Sequence, residues 1–158
     1  MKKILILLLA MGTMVLSSCT MTAESDISQE SAQELDYFQL KKYNYETQAQ
    51  EALLDGYFGN ALLPALHRAG IKNVGVFKPI DAFNEDGEYI MLLVPYQNLD
   101  QFEEMPSILE EDVAYQEAAF AYLDAPHDQP PYTRIESFLL RAFSATPRLA
   151  LPQLSSPR

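Results

Sequence analysis

The sequence predicts an α+β domain of four strands and two helical regions, and three observations predict it. Two segments have the length and pattern of strands: Tyr37–Tyr45, which alternates apolar and polar residues, and Tyr89–Tyr96, which is apolar throughout. A long stretch between them, Leu53 to Ala69, repeats apolar residues at helical spacing and closes on Gly70. An Asp-Gly pair at Asp86–Gly87 and a proline-rich loop from Ala125 to Pro131 supply the turns that separate the remaining elements.

In the first strand Phe38 and Leu40 point one way, Gln39 and Lys41 the other. Thr47 with Gln50 three positions on is a capping box that starts the first helix. Its apolar side carries Leu53, Leu54, Tyr57, Phe58, Ala61, Leu62, Ala65 and Leu66, and Arg68 sits in the last turn where a cation is favoured. Pro64 removes the bond to the Asn60 carbonyl, which predicts a kink there. Ile71 to Ile80 reads as the second strand and Tyr89 to Tyr96 as the third, joined through the Asn84-Glu85-Asp86-Gly87 turn. Asn98 opens a short helical piece that Pro106 is expected to end. Ser107 and Glu110 then form a second capping box, followed by a helix whose buried stripe is expected to be Leu109, Val113, Phe120 and Leu123. Tyr132 to Phe143 is the last strand. The order β-α-β-β-α-β is the split arrangement of ferredoxin-like folds.

Two helices cover one face of such a sheet. The third strand, however, puts Ile90, Leu92 and Val94 on one face and Met91 and Leu93 on the other. Both faces need cover, because a bare apolar patch of several hundred Å² is rare on a soluble monomer. A second copy packed sheet to sheet supplies it, so a homodimer is expected.

Composition excludes several functions. The 158 residues carry 11 Lys+Arg against 22 Asp+Glu, a surface that repels phosphate backbones and disfavours nucleic-acid binding. One cysteine permits neither a disulfide framework nor a thiolate metal site. Apart from that cysteine, chemistry has to come from scattered polar side chains.

The amino-terminal segment gives an address. Lys2 and Lys3 precede an apolar run, Ile4–Leu16, that is short of the ~20 residues a hydrocarbon core requires. Leu16-Ser17-Ser18-Cys19 after it resembles the lipobox of bacterial lipoproteins, which implies cleavage before Cys19 and acylation of its sulfur; an ordinary secretory signal with an incidental cysteine is the alternative. Two or three acyl chains anchor a protein durably. Thr20 stands where an inner-membrane retention Asp sits in the familiar sorting rule, so an outer-membrane location on the periplasmic or cell-surface side is expected. The expected organisation is a lipoprotein signal peptide at 1–18, the lipidated cysteine with a disordered tether at 19–36, the folded domain at 37–146 and an irregular proline-containing tail at 147–158.

Two blocks carry a family resemblance. Asn60-Ala61-Leu62-Leu63-Pro64-Ala65-Leu66, followed by Gly70-Ile71-Lys72-Asn73-Val74-Gly75-Val76-Phe77, resembles the helix-to-strand segment of NIPSNAP-domain proteins. Tyr132 to Phe143, followed by Pro147, resembles that family's closing strand, and the resemblance spans Tyr37 to Leu149. It implies a dimeric α/β-barrel, the fold shared with antibiotic-biosynthesis-type monooxygenases and haem-degrading enzymes. It implies no reaction, because a fold hosts many functions.

Candidate site residues follow from pattern. His67 and His127 are the only histidines, 60 positions apart, so no metal site is predicted. His127 falls in the proline-rich loop. His67, in the last helical turn, is a candidate general base or axial haem ligand beside its structural reading. Arg134 and Glu136 share a face of the last strand with Phe138 and Leu140, and Lys41 and Tyr43 share a face of the first. Placed inside a barrel, with Asn60 from the helix, these five would give an apolar cavity a few polar contacts, the usual small-molecule arrangement. An Arg134–Glu136 ion pair at the dimer seam is the structural alternative. His67, Arg134, Glu136 and Tyr43 are the catalytic candidates.

The expected function is a membrane-anchored module that takes a small apolar or aromatic ligand, or a partner protein, in its cavity, with no cofactor. The alternative is a cofactor-free or haem-dependent monooxygenase, for which fold is the sole support. Haem-degrading members of the fold use a Trp in the pocket, and this chain has none.

Overall fold

The computed structural model describes residues 34–80 and 87–152. The predicted leader, Cys19, residues 20–33 of the tether and the Asn84–Asp86 turn lie outside the described residues. Strand β1 is Tyr37–Asn44, β2 Gly75–Phe77, β3 Tyr89–Tyr96 and β4 Arg134–Arg141. They form one sheet in the order β2-β3-β1-β4, antiparallel at every pairing. This is the ferredoxin-like α+β arrangement expected from the element order.

The first helix begins as predicted. The Thr47 hydroxyl accepts from Gln50 N–H, and the Gln50 side chain accepts from the Thr47 N–H. Helix α1, Gln48–Gly56, runs without interruption into a π-helical turn at Tyr57–Leu62 and then into α2, Leu63–Arg68. At the position of the predicted kink the helix widens: Leu63 N–H bonds to the Phe58 carbonyl, one residue further back than in an α-helix. Two physical reasons converge. The wider turn relieves the clash between the Pro64 ring and the carbonyl four residues earlier. It also keeps the paired apolar residues over the sheet, because their strict four-residue repeat overshoots a turn of about 3.6 residues. Gly70, at φ 90°, ends α2, with Gly70 N–H bonded to the His67 carbonyl and Ile71 N–H to that of Leu66.

Three expectations need correction. The second strand is confined to Gly75–Phe77, because it lies at the sheet edge, and Pro79 has no N–H to extend the ladder. A side chain at Gly75 would strike the Phe77 ring at 2.5 Å. Pro106 does not end a helix: α3 runs through it from Leu99 to Glu111, capped by Asn98, and buries Met105. The Ser107–Glu110 capping box therefore does not form. The break comes at Asp112, whose carboxylate caps α4, Val113–Leu123, by accepting from Tyr115 N–H. Arg68 grips the same carboxylate at 2.6 Å, which ties the end of α2 to the α3–α4 corner. The buried stripe of α4 is consequently Tyr115, Ala119 and the half-buried Tyr122, while Val113, Phe120 and Leu123 are largely exposed.

Leu54, Leu66, Ile90, Leu92 and Val94 make the centre of the core between helices and sheet. Chain segments beyond the outer elements are also tied down. Asp36 N–H bonds to the Pro147 carbonyl at 2.8 Å, Leu149 N–H to the Asp36 carboxylate, and Arg148 pairs with Glu34.

Candidate functional site

Strand alternation and register decide which side chains meet. On β1, Gln39, Lys41 and Tyr43 stand opposite Val94, Leu92 and Ile90 of β3, so all six share the helix-facing side. A cavity of about 370 Å³ opens there between the sheet and the helices. Leu62, Leu66, Leu92, Val94 and Met105 give it an apolar wall; Tyr43, Tyr57, Tyr96, Phe102 and Tyr115 bring rings; Gln39, Lys41, Glu110 and Gln116 bring polar groups.

The π-helical turn builds part of this site by burying four of its six residues, Tyr57, Phe58, Ala61 and Leu62. Tyr57 stacks on Tyr122 at 3.8 Å and 8° between planes, and its hydroxyl lies 3.0 Å from that of Tyr115. Tyr43 meets Phe58 edge-on at 5.1 Å. Burial raises the phenols of Tyr43, Tyr57 and Tyr122 well above the usual tyrosine value, and it pushes Tyr96 up to about 12. These hydroxyls stay protonated near neutral pH and act as hydrogen-bond partners. Tyr96 donates to the Gln39 side-chain carbonyl at 3.3 Å, and the Gln39 amide donates to Ser137.

Lys41 is the one basic side chain along the cavity lining. It is half-buried, and burial lowers its amine below the ordinary lysine value. The ion pairs among the described residues engage Arg68, Lys78, Arg134 and Arg148, and none reaches Lys41. Its neighbour Lys42 lies on the other side of the sheet, 4.2 Å from the centre of the Tyr89 ring.

The five sequence-predicted contacts do not converge. Lys41 and Tyr43 line the cavity. Arg134 and Glu136 stand opposite Asn44 and Lys42, on the face turned away from the helices, where they pair with each other at 2.9 Å. Asn60 is exposed on the π-helical turn, and His67 and His127 are exposed as well, all three outside the cavity lining. The sequence pattern misses the phenol cluster of Tyr57, Tyr115 and Tyr122, because it gives the burial of α4 to the larger aliphatic and Phe residues. Tyr115, Ala119 and Tyr122, at the spacing i, i+4, i+7, were the signal available. Among the described residues no group of His, Cys, Asp and Glu side chains is placed to hold a metal ion.

Fold and cavity together define the class: a ferredoxin-like α+β domain with a chamber between its sheet and its helices. Among solved structures this chain is similar to NIPSNAP proteins. An uncharacterized NIPSNAP-like domain protein from Burkholderia xenovorans matches with a TM-score of 0.56 at 15% identity, covering 78% of this chain and 97% of the other. A NIPSNAP family protein of unknown function from Agrobacterium tumefaciens matches with a TM-score of 0.55 at 13% identity, covering 73% and 96%. A second from the same organism gives 0.50 at 16%, covering 66% and 90%. The fold is therefore NIPSNAP-like, and at such identities the likeness is one of fold alone. No family model matches the sequence, and no curated protein matches it significantly.

Proposed function

We propose that this protein is a binding module for a small aromatic or apolar molecule, exported, lipid-anchored at Cys19 to the outer membrane and paired as a homodimer. The cavity of about 370 Å³ carries the binding reading: its walls are mostly apolar and aromatic with few polar groups, the composition of small-molecule sites. Thermal-shift screening of the purified protein against simple aromatic compounds tests it. Hits should raise the melting temperature, and Leu109→Trp, which fills the cavity from α3, should abolish the shift. A panel that leaves wild type unmoved, or hits indifferent to Leu109→Trp, would remove the binding reading.

The homodimer rests on the sheet face turned away from the helices. Phe38, Leu40, Met91, Leu93, Phe138 and Leu140 lie side by side there, with Phe138 53% and Leu140 47% exposed. Light scattering should return twice the chain mass, and Phe138→Glu should halve it. The anchor rests on the Leu16–Cys19 pattern, and fatty-acid labelling lost in Cys19→Ala is the expected result. The monooxygenase alternative gains no observation of its own, since His67 is outside the cavity and the cavity phenols stay protonated.

A further inference from the structure

Resting on the reading of the cavity as a ligand site, we propose that its ligand class is a small aromatic monoanion, a ring carrying one carboxylate that pairs with the Lys41 ammonium. Lys41 projects from a central strand, by register beside Leu92, into a chamber where no carboxylate pairs with it. Glu110, the one carboxylate along the lining, is exposed on α3 and does not pair with it. Among the described residues, Arg68, Lys78, Arg134 and Arg148 each pair with a carboxylate of the same chain. A half-buried ammonium without a counter-ion gains from an anion that arrives from outside.

The rest of the chamber narrows the class. Its volume sits near the lower end of small-molecule sites, which suits one or two fused rings rather than a long chain. One cation matches one negative charge, and neither a second basic side chain nor a glycine-rich turn lines the space to take a phosphate or a dianion. Tyr57, Tyr96, Phe102 and Tyr115 present ring faces and edges to an aromatic body. The paired hydroxyls of Tyr57 and Tyr115, one donating to the other, leave one neutral O–H donor that does not repel an anion.

Isothermal titration of the purified full chain with 2-naphthoate and with 2-naphthamide tests the proposal, because the two differ in charge and little in shape. Wild type should bind naphthoate at least about tenfold more tightly, the scale of one charge-assisted hydrogen bond. Lys41→Met should erase that preference while naphthamide affinity stays within about twofold, and Lys41→Arg should restore part of it. Equal affinity of wild type for the two compounds overturns the proposal and leaves the cavity reading standing; this comparison needs no variant to fold. Naphthoate preferred equally by wild type and Lys41→Met also overturns it. Binding of neither compound sinks both readings.

Discussion

The two faces of the sheet follow opposite rules. The face under the helices is closed, yet it keeps a chamber and an ammonium without a partner. The face turned outward lacks cover, yet its centre is apolar and its charges are satisfied, Arg134 by Glu136 and Lys42 against the Tyr89 ring. An ordinary domain would show the reverse: solid packing inside, dispersed charge outside. Each departure points to something added from outside. On the proposals above, a second copy of the chain would complete the open face and a small molecule the closed one. Single-residue alternation produces the contrast, since Lys41 and Lys42, or Leu92 and Leu93, are neighbours in the chain and lie on different sides.

The sharpest way to break the comparison is a pair of substitutions one residue apart. Leu92→Ala, in the closed core, should cost about 2–5 kcal/mol by denaturant unfolding. Leu93→Asp, on the open face, should leave a folded chain by circular dichroism while light scattering reports the monomer mass. Equal destabilisation by the two would mean that the faces are not distinct. Next in size, Tyr57→Phe strands the buried Tyr115 hydroxyl and should cost about 1–3 kcal/mol.

Lys41→Met sharpens the comparison in the other direction. Without ligand it should stabilise the protein by roughly 1 kcal/mol at neutral pH, a gain in melting temperature of a few degrees, because an unpaired charge leaves an apolar chamber. Its pH dependence has a definite sign. With the folded amine below the unfolded value, the unfolded chain holds more protons between the two, so wild-type stability rises with pH through that window. The advantage of the Met variant should accordingly be full below the folded value and fade as pH approaches about 10.4. A constant advantage at every pH would deny that Lys41 is the source. The smallest effect belongs to Asp112, whose carboxyl is held below its usual value by the Tyr115 N–H and then by Arg68. That contribution is present above the unfolded carboxylate range and is lost as pH falls through the folded value; Asp112→Asn should flatten this acid limb slightly in thermal melts.

Much of this was legible in the residues. Strands β1 and β3 declared themselves because alternation and apolar runs survive tertiary context, and the Thr47 capping box fixed the first helix start to the residue. The open apolar face followed from Leu93 and Met91 alone. What stayed hidden depended on choices between near-equal options. Helix α4 carries apolar side chains all around, so its pattern does not select a face, and the rotation is set by the Asp112 cap and the stacking of Tyr122 on Tyr57. Pro106 looked like a terminator because the lost hydrogen bond is local, whereas the burial of Met105 that sustains α3 is not. Lys41 with Tyr43, and Arg134 with Glu136, were each correctly paired along their own strands. Assigning them to opposite faces required the β1–β4 register, Lys41 against Ser137 and Lys42 against Glu136, which the sequence of one strand does not contain.

The most direct measurement is a crystal structure of the protein grown with 2-naphthoate. The expected result is ring density between the sheet and α3, with the carboxylate within hydrogen-bond reach of Lys41 Nζ and the outward sheet faces of two copies in contact. Density on the open face with the chamber collapsed around Lys41 would contradict the division of roles between the two sides of the sheet.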